Sequence, residues 1–326
     1  MLLAVAAPSA QQPGPIGGSS RRLSDRVGDF GLRWITALAA LGSVVLIGLI
    51  VYKVFDGAWP AIQEFGFSFL TNQVWNPVTS EFGALAFIFG TVMTSLGALL
   101  VATPISIAIG LYLSELAPRG VREPVGMLVE LLAAIPSVVL GLWGILVLGP
   151  FVQQTLGPFL QSILGWTPFF DGTPQVSSYL SAVIVLSIMI VPIASSISRE
   201  LFLQVPRDVK EGALGLGLTH WEMVRGVMLP FTRTGLVAAL LLGMGRAIGE
   251  AIAVTQVIGN NAKITLDLFS TGDTLASRIA AQYQGAVSNL QISALFYLAA
   301  VLLAISLVTN VVAQVIVQRF AGHKQR

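Results

Sequence analysis

The 326-residue chain has no cysteine, so it holds neither disulfides nor thiolate metal sites. Its two histidines, His220 and His323, are far apart and belong to no cluster with metal-ligand spacing. Charge is scarce as well: 10% of residues are Asp, Glu, Lys or Arg, against about 25% in an ordinary globular chain. With 55% hydrophobic residues, a chain this poor in charge is solvated by lipid. No basic stretch is interleaved with aromatics, which leaves nucleic-acid binding without support. There is no G-x-x-x-x-G-K-[ST] phosphate-binding loop, so ATP, if it drives this chain, is hydrolysed on another polypeptide. Neither H-E-x-x-H nor paired carboxylates occur in the apolar runs, which argues against an intramembrane protease. No internal repeat stands out, and in particular no inverted symmetry of the secondary-transporter kind.

What is present is apolar length. Six runs lie at about 34–52, 84–112, 125–151, 179–198, 235–258 and 292–317. Each is near the ~20 residues that a helix needs to cross ~30 Å of hydrocarbon, which predicts an all-α integral membrane protein with six transmembrane helices. Pro104, Pro136 and Pro192 interrupt the second, third and fourth runs and predict kinks. Residues 1–30 read as a disordered tail ahead of a membrane domain over 31–326, because the first twenty are rich in Pro, Gly, Ser and Ala. The short apolar run at 2–7 and the pair Arg21-Arg22 read as flanking sequence, not as a secretory signal.

The basic residues give an orientation. Four flank the first run, Arg119 and Arg122 follow the second, five lie between the fourth and fifth, and three follow the sixth. The opposite loops hold only Lys53, Lys263 and Arg278, and Arg246 falls inside a run. With loops this short the bias predicts that both termini and the loop at about 199–234 are cytoplasmic. The outer loops, about 53–83, 152–178 and 259–291, carry Trp59, Trp75 and Trp166, suited to the outer interface. Thr91, Thr94 and Ser95, and Ser195, Ser196 and Ser198, either line a hydrated path or bond their own backbone.

Residues 211–230, EGALGLGLTHWEMVRGVMLP, form the most polar stretch between two apolar runs. Periodicity predicts a helix over 207–218 with Pro206 at its start. Thr219 and Glu222, three residues apart, predict a capping box that opens a second short helix. Gly215 and Gly217 permit a bend between the two. The expected result is a pair of short helices at the membrane surface with one face open to a partner.

The fifth run holds the other polar feature, Gly243-Met-Gly-Arg246-Ala-Ile-Gly-Glu250. Arg246 falls about 11 residues into the run, ~17 Å along a helix, where an arginine costs ~2.5–3.5 kcal/mol even on lenient insertion scales. Glu250, four residues on, shares its helical face and is placed to pair with it, though Arg before Glu is the poorer order for such a pair. A guanidinium offers two parallel hydrogen bonds to an oxyanion, which makes Arg246 and Glu250 candidate pathway residues. The other reading is a buried pair that fixes helix register.

Glu211, Gly212, Ala213, Gly217, Val227, Leu229 and Pro230 together resemble the EAA loop of ABC-importer permeases; the departure is Gly212, where that family usually has Ala. The segments GRAIGEA with VIGN, IPSVVLGLWG, MIVPIASSISRE and VPRDVKEGALGLG resemble the PstC-type permease of phosphate-specific ABC importers, over about residue 33 to the end of the chain. That resemblance implies the type I importer permease architecture in the bacterial inner membrane. It also implies a transport subunit and no enzyme, coupled through the EAA loop to two separate ATPase subunits. The further partners it implies are a homologous second permease (PstA-type), an extracytoplasmic phosphate-binding protein and inorganic phosphate; no cofactor is implied. A permease for another oxyanion, such as sulfate or molybdate, and a self-sufficient anion channel or carrier remain alternatives.

Overall fold

The computed structural model describes residues 23–321, so the expected tail lies outside the described residues as far as residue 22. Residues 23–30 are already helical and belong to α1 (Leu23–Phe65). The chain divides at residue 53 into two compact units. In the first, the described residues are helical, and their apolar side chains from Phe30 to Tyr52 are exposed.

After α1 a two-stranded antiparallel ribbon, β1 (Trp75–Asn76) and β2 (Glu81–Phe82), pairs Trp75 with Phe82 and Asn76 with Glu81. The helices are then α2 (Leu85–Leu111), α3 (Arg119–Ala133), α4 (Ser137–Leu164), α5 (Tyr179–Leu203), α6 (Arg207–Gly215), α7 (His220–Gly249), α8 (Ile252–Val257), α9 (Leu275–Gln282) and α10 (Asn289–Ala321). Six described helices are long and apolar enough to cross a membrane: α1, α2, α4, α5, α7 and α10.

The fold is built around α5. It runs along α2, meets α7 and α3, and contributes the largest single share of the central core, from Tyr179 to Ala194. Glycine and alanine allow the close approach: a Cβ at Gly97 would press on Val183, and Ala98 and Ala102 are fully buried. Without water between them, membrane helices associate through such packing and not through the hydrophobic effect. A second cluster joins Phe69, Phe82, Phe87, Leu275, Leu295 and Leu298, and a third joins Phe202, Val205, Ala213, Met223, Met228 and Leu236.

Two spans differ from the expectation. The third was expected at 125–151; the residues up to Ala133 instead form the separate amphipathic helix α3, and the span runs over Ser137–Leu164. Pro136 is the reason. It has no N–H, it holds Ile135 out of the helical region, and at φ −59°, ψ 138° it caps a new helix instead of kinking an old one. Pro118 and Pro206 start α3 and α6 in the same extended conformation. By contrast Pro104 and Pro192 remain inside α2 and α5. The fifth span was expected to run to 258, but α7 ends at Gly249 and Glu250 is extended (φ −72°, ψ 117°).

Candidate functional site

The segment 207–230 begins with α6, whose last turn closes in a Schellman arrangement. The Leu218 N–H donates to the Ala213 carbonyl (3.3 Å) and the Gly217 N–H to the Leu214 carbonyl (3.0 Å). That arrangement needs a left-handed residue after the helix, and Gly217 supplies it at φ +89°. Thr219 then opens α7 with the expected capping box: its Oγ1 accepts from the Glu222 N–H (3.3 Å), and the Glu222 carboxylate accepts from the Thr219 N–H (2.8 Å). The second helix is not short, however. It passes through a π turn at Val224–Met228 and continues as one 30-residue span to Gly249.

The expected residues of this segment divide by exposure. Ala213 is buried, Val227 and Leu229 are half-buried, and Glu211, Gly212, Gly217 and Pro230 are exposed. Lys210 ties α6 to the π turn (Tyr112–Leu116) that continues α2: its Nζ lies 2.6 Å from Glu115 Oε1 and also donates to the Phe202 carbonyl at 3.2 Å. The two partners are 95 residues apart, and no local pattern announces the pair. Val209, Leu216, Leu218 and Trp221 point outward, Leu216 at 87% and Trp221 at 67% exposure.

At the other end of α7, Arg246 and Glu250 are not brought together. The helix on which they would have shared a face ends between them. Arg246 is exposed, takes no ion-pair or hydrogen-bond partner among the described residues, and lines a cavity of about 440 Å³ with Ile193, Gly245, Ser306 and Asn310. Glu250, one residue ahead of the N-cap Ala251, is half-buried, and its Oε1 accepts from the Ala253 N–H (3.2 Å) in the first turn of α8. The carboxylate thus serves a helix start that was not expected.

A buried ion pair escaped the sequence reading altogether. Arg278 Nη2 lies 2.7 Å from Asp273 Oδ2, with the side chains 8% and 1% exposed. The other carboxylate oxygen, Oδ1, accepts from the Thr274 N–H at 2.8 Å. Arg278 also donates to the Asn260 carbonyl (3.0 Å) and lies over the Phe87 ring at 4.8 Å. Burial pushes the Asp273 carboxyl up from the usual aspartate range, against the opposing pull of Arg278, and pushes the guanidinium down. Asn260 is itself left-handed (φ 53°) and follows Gly259 (φ 93°), so the pair pins a tight turn at the far end of α8. Gly90 admits the Asp273 backbone against α2, where a Cβ would collide with its carbonyl.

The hydroxyl groups take the bland role. Thr91, Thr94 and Ser95 are buried and each donates to a carbonyl one turn back, as do Ser195, Ser196 and Ser198. Trp75 is half-buried against Phe82 and Phe87 and donates to Gln282 Oε1 at 2.7 Å. Among the described residues no group of three or more His, Cys, Asp or Glu is arranged to hold a metal ion.

Residues 104–322 match the family model described as the binding-protein-dependent transport system inner membrane component. A phosphate transport system permease protein PstC of Mesorhizobium japonicum is 43% identical over 87% of this chain and 88% of its own length. Its counterpart in Haemophilus influenzae is 41% identical over 89% and 93%. A probable PstC of Methanocaldococcus jannaschii is 33% identical over 93% and 97%. Among solved structures, a chain of a bacterial alginate ABC transporter superposes with a TM-score of 0.58 at 18% identity, covering 89% of this chain and 97% of that one. A chain of the inward-facing MetNI methionine transporter gives 0.53 at 18%, covering 72% and 94%. At such identities these two establish the fold alone.

Proposed function

The chain belongs to the binding-protein-dependent transport inner-membrane components, in their PstC-type branch, and on that premise we propose that it forms half of the translocation pathway of an ATP-driven phosphate importer. It is a multi-pass inner-membrane transport subunit and not an enzyme; ATP is hydrolysed on separate subunits. The partners in this reading are a homologous second permease, two ATPase subunits and an extracytoplasmic phosphate-binding protein, with both termini and residues 199–234 on the cytoplasmic side.

The observation that carries the reading is Arg246. An arginine with no counter-charge among the described residues is costly against lipid wherever it lies at membrane depth. Facing a hydrated cavity it keeps its solvation, and its planar fork then meets a phosphate oxyanion with two parallel hydrogen bonds. The helix break after Gly249 adds to this, since irregular backbone at membrane depth is tolerated where it lines a cavity.

Coupling enters at the other end of the same helix. The ATPase docks on α6 and the start of α7, where Leu216 and Trp221 offer an apolar surface. The Glu115–Lys210 pair fastens α6 to the π turn that continues α2. From His220 to Arg246 the chain is one continuous helix, ~39 Å long at 1.5 Å per residue, so the docking surface and Arg246 lie on the same element. Arg246→Gln is expected to leave the complex assembled and abolish phosphate uptake by reconstituted vesicles. Wild-type uptake by that variant would contradict the pathway assignment.

A further inference from the structure

Helix α10 is apolar along most of its length, yet its second half carries Ser306, Asn310, Gln314 and Gln318, each four residues from the next. At 100° per residue these four occupy a stripe about 120° wide that winds slowly round the helix. The stripe faces α7. Ser306 and Asn310 line the Arg246 cavity, and Asn310, Gln314 and Gln318 line a second cavity of about 590 Å³. The two cavities share Leu241, Leu242 and Asn310, so they are contiguous. The three amides are exposed and have no hydrogen-bond partner among the described residues. From Ser306 to Gln318 the stripe extends ~18 Å, more than half of a ~30 Å hydrocarbon core.

A primary amide left unpaired in hydrocarbon costs several kcal/mol. Three on one face of a span therefore point toward water or a polar partner, and the cavities place them beside Arg246. Their chemistry suits an anion in transit. An amide N–H₂ replaces part of the oxyanion's hydration without adding a fixed charge, so it holds the ion weakly enough to release it, as conduction requires. A row of lysines or arginines would trap the same ion.

We infer that Asn310, Gln314 and Gln318 are further substrate-contact residues, an uncharged ladder along which phosphate passes between Arg246 and the end of α10. The inference rests on the pathway reading of Arg246 and extends it to a second helix. The chain has no cysteine, which makes the test direct. Single cysteines replace Asn310, Gln314 or Gln318 and, on the opposite face of α10, Val308 or Val312. The full complex is placed in lipid nanodiscs and treated with an anionic methanethiosulfonate reagent, with labelling read on this chain alone. The ladder positions are expected to react roughly tenfold faster than Val308 and Val312, because only a water-facing thiol ionises to the reactive thiolate, and inorganic phosphate is expected to slow them. Asn310→Leu is expected to raise the KM for phosphate with the complex intact.

Ladder thiols no more reactive than the controls would overturn the inference, as would an Asn310→Leu complex that falls apart while the ladder stays unlabelled, since the amides would then be an interface with the second permease. Arg246→Gln separates the two claims. If that variant loses uptake while the ladder is dry, the ladder falls and the Arg246 reading stands. If it transports normally, the pathway reading falls and the ladder with it.

Discussion

At the scale of the residue, Arg246 and Glu250 carry the instructive difference. Their spacing was legible in the sequence, and so was the cost of a charge at that depth. Their separation was not, because the expected pairing assumed an unbroken helix through Gly249. The break leaves Arg246 at a cavity without a partner among the described residues, and turns Glu250 to the first turn of α8, where it accepts from the Ala253 N–H. Charge and hydrogen bond separate experimentally. Glu250→Gln keeps the acceptor oxygen and is expected to hold the thermal midpoint of the complex while reducing uptake. Glu250→Ala removes the acceptor too and is expected to cost a further ~0.5–1.5 kcal/mol, the usual net worth of one hydrogen bond, seen as a lower midpoint. Equal stability of the two variants would contradict the hydrogen bond, and full uptake by the Gln variant would contradict a role for the charge. Asp273 with Arg278, and Glu115 with Lys210, were invisible for another reason. The partners of the second pair are far apart in sequence, and nothing local marks those of the first for burial.

At the scale of the element, prolines decided what the sequence reading got right and wrong. A proline inside an apolar run predicts a kink, but two solutions other than a simple kink occur here. At Pro118, Pro136 and Pro206 the chain leaves the helix and restarts, which moved the third span from 125–151 to Ser137–Leu164. At Pro150, Pro158 and Pro230 the helix continues, because a π turn ends two residues earlier, at Leu148, Leu156 and Met228. In each, the N–H before the proline reaches back five residues, to Gly144, Val152 or Val224. The wider turn makes room for a ring that would otherwise strike the carbonyl four residues back. Hydropathy does not distinguish these cases. The capping box, by contrast, was legible: the Thr219–Glu222 box formed as expected, since it depends on three consecutive peptide units and little else. Gly217 belongs with it. A side chain at its left-handed φ costs roughly 1–2 kcal/mol, more when β-branched, so Gly217→Val is expected to disturb the α6–α7 corner and raise the ATP hydrolysed per phosphate transported. A coupling ratio equal to that of the wild type would contradict the docking assignment. Gly212, with open space around its Cβ position, carries no such requirement.

At the scale of the whole molecule, the six-span architecture was legible because lipid demands it: only ~20 apolar residues in a helix satisfy every backbone group across the hydrocarbon. The importer family was legible from short motifs, and the match over residues 104–322 agrees with them. The cargo is the finer claim, since the charge at Arg246 suits any tetrahedral oxyanion. The central account is therefore tested most directly by uptake into vesicles that hold the complete complex, with its binding protein outside and ATP inside. The account predicts that phosphate accumulates only when ATP is present and that excess sulfate or molybdate does not displace it. Accumulation without ATP, or competition by sulfate at parity with phosphate, would contradict it.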